Sequence, residues 1–189
     1  PNPSSGGLGS VTKHIIVGLI ALSFVATLFA EGARADGGGQ YGKETLESLG
    51  GTGLIRLNGT SVTNQVQLIG SLISQNGEIG SLDVIGEVNL TETTVKHGGS
   101  IMGSIQAVRS KIQEPITILS QKAIFTASKL AGITVKQDAA FKGKQIIELR
   151  QGTLVDGPIH FESGKGEVII YTGSQVLGPV SGGKVIKKT

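Results

Sequence analysis

Apolar residues over most of this chain fall in short runs that alternate with polar ones, and the alternation keeps being interrupted by glycine. One five-residue pattern, apolar-x-Gly-x-apolar, recurs as Leu68 to Leu72, Val84 to Val88, Ile101 to Ile105, Val155 to Ile159 and Val176 to Val180. Its central glycines are Gly70, Gly86, Gly103, Gly157 and Gly178. A structural turn of about 17 residues accounts for their placing, with the long interval from Gly103 to Gly157 read as three such turns. Only the last interval, Gly157 to Gly178, needs a bulge or a short loop besides. The final two copies agree over a longer window, Gly152-Thr-Leu-Val-Asp-Gly-Pro-Ile159 against Gly173-Ser-Gln-Val-Leu-Gly-Pro-Val180. Between the copies lie brief β-branched pieces such as Ile116-Thr-Ile118, Ile133-Thr-Val135 and Ile147-Glu-Leu149, with the strand period of two.

A strand of four or five residues turns only two or three side chains inward and cannot bury a face alone. Stacking coil on coil solves this, because each strand pairs with the next turn and aligns Val, Ile and Leu in interior ladders. Glycines supply the tight corners, and Pro158 and Pro179 fit corners where no N–H is owed to the ladder. The pattern therefore predicts an all-β chain, a single-domain right-handed parallel β-helix (β-solenoid), with the hand taken from the general preference of parallel crossovers. An antiparallel sandwich is the rival reading, with Asn58-Gly59, Asn76-Gly77 and Asp156-Gly157 as hairpin turns. A regular recurrence of one glycine motif is not something its turns require. The stretch Lys111 to Lys144 departs from the glycine pacing, with only Gly132 and Gly143, and reads as an irregular rung or an outward loop.

Ahead of the repeat stands a different pattern. After Lys13 and His14, residues 15–30 are nearly unbroken in apolar character, followed by Ala33 and Ala35 in an A-x-A arrangement before Asp36. This is the order of a signal-peptide helix and its cleavage site. An uncleaved membrane anchor is the alternative, and would be the chain's sole contact with a membrane. The expected organisation is 1–10 as upstream translated sequence or an expression remnant, 11–35 as signal peptide, 36–51 as a flexible glycine-rich leader, and 52–189 as the β-helix. The implied location is the periplasm or the outside of a bacterial cell.

Composition sharpens the picture in three ways. Glycine makes up 30 of 189 residues while aromatics are 4%, which suits many small identical layers rather than a core of large rings. The formal charge of +3 is small, and its visible cluster, Lys184, Lys187 and Lys188, has no aromatic neighbour for base stacking. No nucleic acid is therefore expected as a partner. The absence of cysteine excludes disulfides, thiolate metal sites and a lipid-modified cysteine.

A β-helix enzyme would need its reactive groups gathered on one face. A polysaccharide lyase or hydrolase collects carboxylates in this way, but Asp83, Asp138, Asp156 and Glu162 are scattered, although Asp156 and Glu162 could approach in space. A hexapeptide-type acyltransferase uses a histidine base; His97 and His160 are the candidates, and the apolar positions do not hold a six-residue phase. Gly50-Gly51-Thr52-Gly53 lacks the Lys-Ser/Thr of a phosphate loop. Asn58-Gly-Thr60 and Asn89-Leu-Thr91 match a glycosylation sequon, a three-residue pattern short enough to arise by chance. No catalytic, cofactor-binding or metal residue is assigned, no cofactor is expected, and the chain is read as not an enzyme.

The copies Val155-Asp-Gly157-Pro-Ile159 and Val176-Leu-Gly178-Pro-Val180, each led by Gly-Thr or Gly-Ser, resemble the bactofilin family of polymer-forming bacterial proteins. The resemblance covers Leu68 to Val185 loosely. It implies a right-handed parallel β-helix that joins end to end into filaments without nucleotide and acts as a scaffold near the envelope. Bactofilins work on the cytoplasmic side, whereas this chain carries an export pattern, so partners and location do not transfer. The function expected is a non-catalytic exported scaffold that self-associates, as a homo-oligomer or filament, or docks into an envelope protein complex. A glycan-binding module or adhesin is the alternative, and glycan cleavage the third reading.

Overall fold

The computed structural model describes residues 14–16 and 32–189. They form a parallel β-solenoid of about nine turns, with 21 strands joined in one sheet. Among the described residues there is no helix, so none is long and apolar enough to cross a membrane. Each coil has three strand segments, and the inward side chains of each segment stack in columns that run the length of the molecule.

The first segment carries the column Ile55, Leu72, Val88, Ile105, Ala123, Ile147, Val168 and Val185. Two positions on, the same segment adds Tyr41, Leu57, Ser74, Leu90, Ala107, Phe125, Leu149 and Ile170. The second segment stacks Leu46, Val62, Ile79, Val95, Ile112, Leu130, Val155 and Val176. The third stacks Leu68, Val84, Ile101, Ile118, Val135 and Phe161. Most of these side chains are fully buried, and each Val, Leu or Ile removed from water contributes about 1.5–3 kcal/mol. Phe125 follows Ala107 in its column, so a small residue makes room for the large ring stacked on it.

The corner between the first and second segments is built without glycine in most coils. Asn76, Glu92, Arg109, Ala127 and Gln151 take left-handed backbone angles there, φ +45° to +50°. Just after this bend a buried hydroxyl turns inward in five successive coils: Thr93, Ser110, Ser128, Thr153 and Ser174. The last four each accept a backbone N–H from the preceding coil, as Thr93 N to Ser110 Oγ (3.1 Å), Ser110 N to Ser128 Oγ (3.1 Å), Ser128 N to Thr153 Oγ1 (3.2 Å) and Thr153 N to Ser174 Oγ (3.0 Å). Ser110 and Ser128 also donate to the carbonyl two positions back. This hydroxyl ladder satisfies amide donors that the bend takes out of the sheet, and buried donors must find a partner.

The solenoid begins earlier than the sequence pattern suggests. The segment 36–51, expected as a flexible leader, instead supplies the strands Gly39–Tyr41 and Thr45–Leu46 and the start of Leu49–Asn58. Gly39 pairs with Ile55 and Leu46 with Val62 in the same parallel register as later coils. The cause is that glycine was read as chain freedom, whereas Tyr41, Leu46 and Leu49 complete inward columns and are buried. Ala33–Asp36 forms a further strand over Leu49 to Gly51, with Ala35 wholly buried, and His14–Ile16 pairs with it. The signal-peptide helix expected over the apolar run falls mostly on residues 17–31, outside the described residues, as does the 1–10 segment.

The irregular middle resolves into two parts. Lys111 to Val135 keep their ladder positions, and only residues 136–144 bulge outward before Gln145–Arg150 rejoins the stack.

Candidate functional site

Three features of this scaffold carry chemistry or contact potential: one glycine corner, the last strand of the described stack, and a lysine-lined groove near it.

Gly70, Gly86 and Gly103 stack directly on one another at the corner between the third and first segments, with Gly53 beneath. Their φ angles are +144°, +137° and +139°. A Cβ on Gly86 or Gly103 would fall inside the carbonyl oxygen of the glycine one coil below, so no other residue fits. Gly157 and Gly178 belong elsewhere. They stack at the corner between the second and third segments, where each packs against the backbone of the preceding coil and neither has positive φ. The five-residue pattern thus joins two different corners, and the long interval between Gly103 and Gly157 is not three turns of one column. Beside the Gly70 column runs an outward stripe, Ile69, Ile85 and Met102, each about half exposed or more.

At the C-terminal end, Gly183–Lys188 pairs with Gly166–Tyr171 on one side, and no described strand covers its other side. Val185 is 46% exposed, and Lys187 occupies the column position above Ile170 that is apolar in the coils just before it. A lysine at a sheet edge discourages indiscriminate strand addition.

The groove lies where residues 142–144 and 164–167 and the start of the last strand meet, an open depression of about 690 Å³ whose charged lining is Lys142, Lys144, Lys165, Lys184 and the Glu167 carboxylate, which Lys144 neutralises. Sequence reasoning singled out only Lys184 among these. The signal for the others was present in the extra length of two coils: the steps from Ala123 to Ile147 and from Ile147 to Val168 are longer than those from Ile55 to Leu72 or Leu72 to Val88.

Of the residues considered for enzymatic roles, His160 and Glu162 lie close together on either side of the inward Phe161, and the others are placed apart. Asp83 is exposed on a strand face, Asp138 caps its own turn through the Ala140 N–H (2.9 Å), and Asp156 faces Lys129 at 3.6 Å. Glu162 accepts from Lys136 (2.9 Å), which holds its carboxyl below the usual range. His97 Nδ1 lies 3.2 Å from Glu114 on an exposed turn. His160 Nδ1 and Ser181 Oγ are 2.6 Å apart, a distance suited to a nucleophile and its base. Both side chains are exposed on the outer face of the stack. Among the described residues, no three His, Asp or Glu side chains come together as metal ligands.

Two groups have perturbed ionisation through packing. Burial, with a smaller push from Glu44, raises the Tyr41 phenol to about 12. Burial pushes the Glu148 carboxyl up, but its bonds to Arg150 and Lys122 outweigh this and leave it below its ordinary value. Arg150 bridges Glu148 (2.5 Å) and the face of the Tyr171 ring (4.8 Å), a clamp between two adjacent coils.

No family model matches the chain, and no curated protein or solved structure matches it either. The fold and the site geometry are therefore what bears on function.

Proposed function

We propose that this chain is a non-catalytic, exported structural scaffold, a right-handed β-helix that associates through its coil ends or docks by them into a cell-envelope assembly. The observation that carries the reading is the parallel stack itself, in which each coil pairs edge to edge with the next in one continued register, and a coil edge of this kind can pair equally with a strand of another chain. Strand addition at such an edge is a common route to assembly. The likeness of the glycine-paced copies to bactofilins supports the same reading, as a polymer-forming fold.

Processing fits this proposal. Cleavage after Ala35 would lift Ala33 to Ala35 from Leu49 to Gly51 and uncover the edge of the first complete coil. A chain with two open ends can grow head to tail; one with a covered end can only dimerise or dock. Lys187 on the C-terminal edge would repel its own copy in a tail-to-tail pairing, which also favours head-to-tail growth.

Sedimentation velocity over a wide concentration range tests the reading, on the full chain and on the chain beginning at Asp36. Concentration-dependent growth of the shorter form supports it. A strictly monomeric species at high concentration in both forms removes the self-association claim.

A further inference from the structure

Charge is unevenly distributed along the stack. Residues 32–103 carry seven carboxylates against four Lys and Arg side chains, whereas residues 104–189 carry six against twelve. In the later coils four of the six carboxylates are already engaged by lysine or arginine: Glu148 by Lys122 and Arg150, Asp156 by Lys129, Glu162 by Lys136, and Glu167 by Lys144. Lys142, Lys165 and Lys184 have no carboxylate within ion-pair distance among the described residues, and all three face one groove.

The fold accounts for the floor of that groove but not for its walls. Gly166, Gly182 and Gly183 are glycines because a Cβ would strike Phe161 or the backbone of the coil below. The walls come from the outward bulge at residues 136–144 and the turn after Phe161, the two places where the chain is longer than a coil requires. Insertions in a solenoid collect on one face and commonly form its binding surface. Three like charges held on consecutive coils, about 4.8 Å per step, repel one another and raise the energy of the unoccupied groove. Among the described residues, Lys165 Nζ reaches only a backbone carbonyl, that of Lys142, at 3.4 Å.

We infer that this lysine groove binds an acidic polysaccharide, an extended chain of carboxylate-bearing sugars lying along the solenoid axis. An extended polymer matches ammonium groups repeated on the three successive coils that line the depression. No aromatic ring lines the groove to stack a base, and its cations are all lysines, point charges without the planar fork of arginine. A saccharide acid is therefore favoured over a nucleic acid strand. The inference does not rest on the strand edge proposed for assembly, and each can fail without the other.

Binding of fluorescently labelled polygalacturonate to the full chain, followed by anisotropy at low ionic strength, tests the inference. The wild type should bind polygalacturonate and not neutral dextran, with affinity falling steeply as salt rises. The triple variant Lys142→Gln, Lys165→Gln, Lys184→Gln should weaken binding at least tenfold. A variant of equal charge change outside the groove, Lys43→Gln, Lys96→Gln, Lys111→Gln, should bind as the wild type does. Equal weakening in both triple variants, or no binding to polygalacturonate at all, would overturn the site. Tighter binding of single-stranded poly-dT than of polygalacturonate would overturn the ligand class.

Discussion

The coils up to Ile105 and those after it are two solutions to one packing problem. In the first group the inward column advances by a nearly constant step, from Gly39 through Ile55, Leu72 and Val88 to Ile105. One corner there is a stack of glycines, so tight that nothing can be added. In the second group the step varies and is longest from Ala123 to Ile147 and from Ile147 to Val168, yet the inward columns continue unbroken. The lesson is that ladder pairing and burial fix the inside of each coil, while length is free to vary only where the chain turns outward. The regular half exposes an apolar stripe beside its glycines, and the irregular half presents lysines on its extra turns.

This contrast can be broken most forcefully at the glycine stack. Gly86→Ala combines a disfavoured φ of +137° with a collision against the Gly70 carbonyl. The loss should be about 3–5 kcal/mol, read as a fall in the urea midpoint or as failure to fold. Gly164→Ala in the second half meets no atom within 4 Å and bears only its φ of +71°. Its loss should be about 1 kcal/mol.

A smaller effect is expected at the hydroxyl ladder, which reaches across both halves. Ser110→Ala removes the acceptor of the buried Thr93 N–H and should lower stability by about 1–3 kcal/mol. Ser110→Thr keeps the hydroxyl and should recover most of the loss in the same denaturation assay.

Alkaline titration separates the first coil from the rest. The Tyr41 phenol is held neutral to about 12 in the folded chain, above its ordinary value of 10.0. The stability linked to it is present in full below pH 10 and is lost as pH rises toward 12, because the unfolded chain gives up its proton first. Tyr41→Phe should flatten that part of the stability profile.

The smallest change should follow replacement of residues 137–143 by a short glycine linker. Since the backbone of residues 137–143 pairs with no neighbouring coil, the unfolding free energy should shift by less than about 1 kcal/mol. An equal deletion from any coil of the first half would destroy its register.

Much of the fold could be read from the chain, and the reasons differ by region. The copies around Gly70, Gly86 and Gly103 announced themselves because three adjacent coils repeat the same corner at nearly constant spacing. The first coil was missed because Gly37, Gly38 and Gly39 looked like freedom, and its apolar side chains, Tyr41, Leu46 and Leu49, were too few to show a period alone. The hydroxyl ladder was present as Ser or Thr two positions before an inward aliphatic, at Thr93, Ser110, Ser128, Thr153 and Ser174. It escaped attention because its spacing wanders with the inserted turns and because hydroxyls so placed usually read as surface. The groove was invisible for a related reason: Lys142, Lys165 and Lys184 are distant in sequence and meet only once the coils stack.

Electron paramagnetic resonance distances between spin labels on introduced cysteines measure the stack directly, because the chain has no cysteine of its own to interfere. Labels at Leu54 and Lys184 should lie seven coils apart, about 34 Å, and labels at Ser104 and Lys184 four coils apart, about 19 Å. Distances that follow coil number in this way are the expected result. Labels at Leu54 and Lys184 closer together than those at Ser104 and Lys184 would contradict the parallel solenoid.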